Sequence, residues 1–219
     1  TNGSGLGRNA SNNSRRRIRR LESTFRNGHM NELLHRIRGC TVCVAHLPFP
    51  PQPVLQASPR SRILVIGQAP GLRAHETGIA WNDASGVILR KWLGVSTEQF
   101  YDPDLFAIIP MGFCFPGKGD SGDRPPRPEC APEWHRSVIS NLNSLRLTIL
   151  VGSYAQRYYL RESGFRSLID SVYRFREFLP EHFPLPHPSP RNRPWITNNP
   201  WFEAQVVPAL AERVRSAIE

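Results

Sequence analysis

Four short apolar segments divide this chain, and helical patterns fill the intervals between them. Residues 62–67, Arg-Ile-Leu-Val-Ile-Gly, form an apolar run that ends in glycine, which is typical of a buried parallel strand. Residues 107–111 and 147–152 have the same character, and residues 183–186 are a fourth, shorter candidate. Strands that alternate with helices favour an α/β fold. We therefore predict a three-layer sandwich around a central, mostly parallel, four-stranded sheet.

Helical periodicity places the remaining elements. Predicted helices cover residues 31–38, 84–93, 133–142, 153–160 and 201–218. Gly94 is placed to end the second helix, and Pro208 should kink or interrupt the last one. Ligands bind beyond the carboxyl ends of the strands in open α/β sheets. The loops at residues 67–83, 112–130 and 187–193 should therefore meet in one cleft.

The net charge of +10 comes from 28 Lys+Arg against 18 Asp+Glu, and only Lys91 and Lys118 are lysines. The guanidinium group suits planar, bidentate contact with phosphate, so this charge favours a polyanionic partner such as DNA. Arginine-rich usage also follows genome composition, so charge alone leaves that partner open. The sequence contains no run of about 18 apolar residues, so we expect no membrane-spanning segment and a soluble protein.

Residues 1–29 differ in composition from the rest of the chain. They are rich in Gly, Asn and Ser, and they contain seven arginines against the single acid Glu22. We predict a disordered basic leader, a cloning remnant or an over-extended start, with Met30 as the natural beginning. A basic arm that adds nonspecific DNA affinity, or a transit-like segment, is the functional alternative. Residues 30–219 are predicted to form a single domain.

The four cysteines form one candidate metal site. Cys40 and Cys43 make a C-x2-C pair, whereas Cys114 and Cys130 are separated by fifteen residues. Disulfides are not favoured because no secretory signal is recognisable. Four thiolates can hold tetrahedral zinc or a 4Fe-4S cluster. Since only one pair is close in sequence, the spacing favours the cluster, with zinc and free core cysteines as alternatives.

Two loop segments carry the other candidate site residues. Glycines at a strand end let the backbone approach a ligand, and proline stiffens the turn. The first segment lacks the glycine spacing and lysine of nucleotide-binding loops, so we expect no nucleotide cofactor; an ordinary turn is the alternative. That segment consists of Gly67, Gln68, Ala69, Pro70 and Gly71, and it is followed by His75, Glu76, Trp81 and Asp83. The second segment holds His187 between two prolines, close to Arg191 and Arg193.

Taken together, these motifs resemble the uracil-DNA glycosylase superfamily. Residues 67–71 match its G-x-x-P-G motif, and residues 187–190 match its H-P-S-P motif. The cysteines resemble, in order and spacing, those of the iron–sulfur branches called families 4 and 5, and residues 77–81 resemble their T-G-x-x-aromatic segment. The resemblance covers residues 31–219. It implies a uracil-DNA glycosylase-like fold with a structural 4Fe-4S cluster on Cys40, Cys43, Cys114 and Cys130.

The same resemblance implies a function in base excision repair. The expected activity is that of a monofunctional DNA glycosylase, which hydrolyses the N-glycosidic bond of uracil or of a related deaminated or damaged base. A lyase step is not expected, because no lysine lies in the motifs. DNA is the implied partner, and the protein is expected to be a monomer in a bacterial-type cytoplasm, associated with the nucleoid.

Two other functions stay open. Both positions that carry an acid in related first motifs are substituted here, by Gln68 and Ala69. A catalytically weak or silent protein that binds damaged or single-stranded DNA is therefore the first alternative. Covalent capture of the abasic sugar by His187 is the second.

The resemblance also assigns roles to single residues. Trp81 is the candidate platform for an extruded base, and His187 is the candidate donor to its carbonyl oxygen. Asp83 is the first candidate for the carboxylate that orients water, Glu76 is the second, and the lack of any such carboxylate is the third option.

Reading of the base and contact with DNA involve further residues. The second strand lacks the asparagine that reads the uracil edge in several branches, so Asn82 or Gln68 is expected to replace it, and uracil, hypoxanthine, xanthine and oxidised pyrimidines all stay possible. The segment that enters the minor groove in relatives corresponds to Arg191, Asn192 and Arg193, with a solvated basic turn as the alternative. Arg124 and Arg127 are expected to contact phosphates.

Overall fold

The computed structural model describes residues 27–120 and 122–219, and a four-stranded parallel sheet lies at its centre. The strands follow the order β2-β1-β5-β6, with β1 at Ile63–Ile66, β2 at Phe106–Ile108, β5 at Leu147–Val151 and β6 at His182–Leu185. Two short antiparallel strands, β3 (Lys118–Gly119) and β4 (Gly122–Asp123), form a separate hairpin. The predicted sheet is confirmed, and its pairings are all parallel.

Helices cover both faces of the sheet. In the described residues they are α1 (residues 27–38), α2 (Leu72–Thr77), α3 (Ala84–Leu93), α4 (Thr97–Tyr101), α5 (Cys130–Ile139), α6 (Ser153–Tyr159), α7 (Leu168–Tyr173), α8 (Arg193–Asn198) and α9 (Val207–Ile218). None of these helices combines the length and the hydropathy that a bilayer span requires.

Two hydrophobic clusters fix the layers. Alternate side chains of a strand point to opposite faces, so Ile63 and Val65 belong to one cluster and Leu64 and Ile66 to the other. The first cluster packs α3 and α9 against the sheet, and the second packs α1, α5 and α6 against its other face. The predicted three-layer α/β sandwich is therefore confirmed.

The helix boundaries follow local sequence signals. Helix α3 has its predicted bounds and ends at Gly94, which adopts the left-handed conformation with φ 68°. The last helix is interrupted as predicted: a π-helical segment, Phe202–Val206, precedes α9, in which Pro208 is the second residue. Because proline has no N–H and its ring clashes with a carbonyl one turn earlier, a continuous α-helix cannot pass through this position.

The predicted leader, residues 1–29, lies almost wholly outside the described residues. Residues 27–29 belong to α1, so this helix includes residues before Met30. The Met30 side chain is buried in the cluster that packs α1 against the sheet.

A buried histidine connects α5, α6 and the end of β2. The two ring nitrogens of His135 lie 2.6 Å from the Tyr159 hydroxyl and 3.0 Å from the Pro110 carbonyl oxygen. Since a carbonyl oxygen only accepts, a neutral ring donates from Nε2 to Pro110 and accepts at Nδ1 from Tyr159. Burial lowers the pKa of His135 from 6.5 to about 4.

This histidine should make the fold sensitive to acid. Between pH 6.5 and about 4 the unfolded chain binds a proton at His135 that the folded chain does not bind, so stability falls as the pH falls. The loss attributable to this residue is roughly 3 kcal/mol at most. Denaturant unfolding at pH 7, 5.5 and 4.5 should show a shallower pH dependence for His135→Gln than for the wild type. The exposed His35→Gln is the control, and an unchanged slope in His135→Gln would contradict the prediction.

Candidate active site

A cavity of about 490 Å³ lies beyond the carboxyl ends of the parallel strands. Three loops that sequence analysis expected to meet all contribute to its lining. The loop after β1 contributes residues 67–71 together with Trp81 and Asp83, the hairpin contributes Lys118, Gly122 and Asp123, and the segment after β6 contributes His187, Ser189, Pro190 and Arg191. Gln68, Trp81, Asp83 and His187 thus share one cavity.

Trp81 is held in a fixed position at the wall of this cavity. Its backbone is left-handed, with φ 56°, a conformation that is uncommon for a residue with a side chain. The Trp81 carbonyl oxygen accepts from Arg90 at 3.3 Å, and a Cβ at Gly86 would overlap that oxygen. A Cβ at Gly67 would lie 2.8 Å from the indole ring. Two glycines therefore allow the indole to sit where it does.

His187 contacts Trp81 from the segment after β6. The two ring centroids are 5.5 Å apart with 33° between the planes, so no third ring fits between them and a planar ligand would bind beside the pair. The His187 carbonyl oxygen accepts from the Asn192 side chain at 2.7 Å. Burial lowers the pKa of His187, although the carboxylates of Asp83 and Asp123 act in the opposite direction. A neutral imidazole at this place can donate one hydrogen bond into the cavity.

Asp83 lines the cavity and also has a structural role. It is the N-cap of α3, and its side chain accepts from the Gly86 N–H at 2.9 Å. An N-cap aspartate satisfies an otherwise unpaired amide at the helix start. The helix therefore explains the position of Asp83 without any catalytic role.

The other polar residues named from the sequence are divided between the cavity and the surface. Gln68 lines the cavity, and its amide donates to the Arg124 carbonyl oxygen at 3.1 Å. Glu76 is exposed on α2, and Asn82 lies 3.5 Å from the Thr77 hydroxyl; neither of them lines the cavity.

An ion pair that the sequence did not predict lies at the cavity wall. Lys118 on β3 and Asp123 on β4 lie 2.6 Å apart, and both line the cavity. The glycine-rich stretch 117–122 indicates a turn, but only the tertiary structure shows that this turn lies opposite residues 67–71.

The family model described as the Uracil DNA glycosylase superfamily matches residues 55–211, more than two thirds of the chain. The chain belongs to the uracil DNA glycosylase superfamily. The matched span of this superfamily member includes every cavity residue from Gly67 to Arg191, and it begins after Cys40 and Cys43.

The candidate DNA-binding segment of this superfamily member, residues 191–193, begins at the cavity and continues into α8. Arg191 lines the cavity, and Arg193 is exposed at the start of α8. Asn192, between them, uses its amide to bind the His187 backbone. The segment therefore joins a basic surface to the histidine that faces Trp81.

The four cysteines meet in a second, smaller cavity. Cys40, Cys43, Cys114 and Cys130 all line it together with Gly112 and Phe113. The Phe113 N–H donates to the Cys130 sulfur at 3.3 Å, and burial raises the pKa of Cys114 to about 11 and that of Cys130 to about 12. Among residues 27–120 and 122–219, no three His, Cys, Asp or Glu side chains are arranged to hold one metal ion. All four thiols are free.

Proposed function

We propose that this protein is a DNA glycosylase that hydrolyses the bond between a deaminated base, uracil first, and its deoxyribose, leaving an abasic site. One observation carries the proposal. In a member of the uracil DNA glycosylase superfamily, an aromatic platform, a neutral imidazole, an amide and a carboxylate line one cavity beyond the parallel strands.

The dimensions and lining of the cavity support a nucleobase as its ligand. A base inside a duplex must leave the stack before an enzyme can act on it, and it is then bound by stacking and by hydrogen bonds to its edge. The cavity volume of about 490 Å³ lies within the usual range for small-molecule sites. Trp81 supplies the stacking surface, and the Gln68 amide supplies both a donor and an acceptor for the base edge.

The chemistry of the bond explains the remaining groups. Departure of the base places negative charge on the base and positive charge on the sugar, so a donor at the base and an anion near the sugar both lower the barrier. His187 is the donor in this proposal. Asp83 is the carboxylate that orients the attacking water.

DNA is the substrate polymer in this proposal. Arg191 lines the cavity and Arg193 is exposed two residues later, so their guanidinium groups would contact phosphates or enter the minor groove. Binding should therefore weaken as the salt concentration rises.

Alkaline cleavage of a labelled oligonucleotide tests the function. Single- and double-stranded oligonucleotides that contain uracil, hypoxanthine or xanthine are incubated with the protein and then heated in base, which breaks the strand at abasic sites. We expect scission at uracil. A gel shift without scission would replace the proposal by the DNA-binding alternative, and a heat-stable adduct would replace it by covalent capture of the sugar.

We further propose that the enzyme is monofunctional, even though Lys118 lines the cavity. The Lys118 ammonium lies 2.6 Å from Asp123, and an ammonium held in an ion pair has no lone pair for attack on the sugar. Borohydride added during turnover should therefore trap no protein–DNA adduct. Lys118→Gln is the matched variant: an adduct that forms with the wild type and is absent with Lys118→Gln would show a lyase step.

We also propose that the four cysteines hold a 4Fe-4S cluster. Their sulfur-only donor set and their common cavity, which joins the chain after α1 to the loop before α5 and to the first residue of that helix, support this assignment. A cluster spreads its four thiolates over several iron atoms, so the lack of a single-ion arrangement does not oppose it. When bound, the cluster would supply a cross-link between these two segments.

Removal of one cysteine should show whether the four cysteines hold a structural cluster or are free thiols. Cys40→Ala should lose most of its iron and unfold at a lower temperature than the wild type, because the cross-link is lost. Iron and zinc contents, visible absorbance and Tm are measured on protein purified without oxygen. Thr41→Ala, an exposed neighbour, is the control. Colourless wild-type protein without iron would contradict the assignment, and stoichiometric zinc in its place would identify a zinc site.

A further inference from the structure

The first motif of this chain lacks a carboxylate, yet the cavity contains two. Gln68 and Ala69 occupy the positions at which sequence analysis looked for an acid. Asp83 has one carboxylate oxygen engaged in capping α3. The second carboxylate, that of Asp123, comes from the β3–β4 hairpin and plays no part in the motifs.

The Asp123 carboxylate lies directly against the first motif. A Cβ at Gly71 would be 3.5 Å from Asp123 Oδ2, so this oxygen borders the motif backbone. The other oxygen, Oδ1, binds Lys118 Nζ at 2.6 Å. The side chain of Asp123 is 30% exposed and that of Lys118 is 64% exposed, so the carboxylate is the more enclosed member of the pair.

The ion pair with Lys118 fixes the position of the Asp123 carboxylate. Lys118 holds one carboxylate oxygen in place, while Oδ2 lies on the side of the first motif. Asp123 also lies close enough to His187 for its charge to act on the imidazole. When the glycosidic bond breaks, positive charge develops on the sugar and negative charge on the base. An anion and a hydrogen-bond donor at different places in the cavity can stabilise these two charges.

We infer that Asp123 is a catalytic carboxylate of this cavity, which stabilises the positive charge on the deoxyribose while His187 serves the departing base; this rests on the proposed function. In the reaction, the C1′–N bond breaks and its electron pair leaves with the base. Water supplies the oxygen that bonds to C1′, and its released proton balances the one taken up by the base. Asp123 contacts the sugar and is unchanged at the end.

The test uses binding as well as turnover. Oligonucleotides with a pyrrolidine abasic analogue, which is cationic at neutral pH, are compared with those carrying neutral tetrahydrofuran. The wild type should bind the cationic analogue at least about tenfold more tightly, and Asp123→Asn should lose that preference. In uracil excision, Asp123→Asn should lower kcat by about 10²-fold with little change in KM, because the interaction strengthens in the transition state.

Matched variants and separate outcomes keep the two proposals distinct. Asp120→Asn changes an exposed carboxylate of the same hairpin that does not line the cavity, and it should keep both properties. Excision by the wild type together with unchanged kcat and unchanged analogue preference in Asp123→Asn would overturn the role of Asp123 alone. No excision of any base by the wild type would overturn the proposed function, whereas a cationic preference that is lost in Asp123→Asn would still support the carboxylate as a cation-binding group.

Discussion

Replacement of His187 by alanine should lower kcat for uracil release by about 10²–10³-fold, the usual loss when one donor to a developing anion is removed. The reason lies in the geometry of the cavity. His187 contacts Trp81 and is held by Asn192 through its backbone, so its ring is positioned before substrate arrives. Burial lowers the pKa of His187, and the neutral ring therefore donates a hydrogen bond without a proton having to be gained first.

Single-turnover release of uracil from a labelled oligonucleotide measures this effect. His182→Gln is the matched control, since His182 lies at the start of β6, the strand that precedes His187, and does not line the cavity. The His187 variant should still bind the oligonucleotide, because Arg191 and Arg193 are unchanged. An activity within about threefold of the wild type in His187→Ala would remove this residue from the proposed mechanism.

Substitution of Asp83 should separate its capping role from its proposed catalytic role, with about a 10²-fold loss of kcat in both Asp83→Asn and Asp83→Ala. Asparagine is as good an N-cap as aspartate, so the Gly86 N–H keeps its acceptor in the first variant. Alanine removes the acceptor and should cost about 1 kcal/mol of stability. Both variants should therefore lose activity together with the negative charge, whereas only Asp83→Ala should lose stability together with the N-cap.

Excision kinetics and denaturant unfolding of both variants test this separation. A fully active Asp83→Asn would show that capping α3 is the whole role of Asp83, and the catalytic carboxylate would then have to come from elsewhere in the cavity. Loss of activity in Asp83→Ala alone would show that the helix start, rather than the charge, supports turnover.

The sheet and the place of the cavity could be predicted because they depend on local signals. Residues 63–66 are apolar at every position, which is typical of a strand buried on both faces. Once the strands are known to be parallel, their carboxyl ends must lie at one edge, and the loops that follow them must meet there. Gly94 ended α3 as predicted because its left-handed backbone favours glycine.

Other parts of the structure depend on contacts between distant residues. Helices α2 and α8 have six residues each, too few to show a hydrophobic period. The β3–β4 hairpin pairs through four residues, and its approach to Gly71 is a long-range contact that no local pattern encodes. For this reason Lys118 and Asp123 were missed. The sequence could not distinguish the N-cap role of Asp83 from a catalytic one either, since an aspartate before a helix is the usual N-cap.

The two glycines behind Trp81 determine where selectivity can change. With Gly67 against the ring and Gly86 against its backbone carbonyl, the indole cannot retreat to admit a larger base. Any enlargement of the accepted substrates must therefore arise elsewhere in the lining, at Lys118, Gly122 and Asp123 or at Ser189, Pro190 and Arg191, where loops rather than a packed core set the clearance. Relatives with altered loops there would differ in the lesion they accept while keeping the same tryptophan wall.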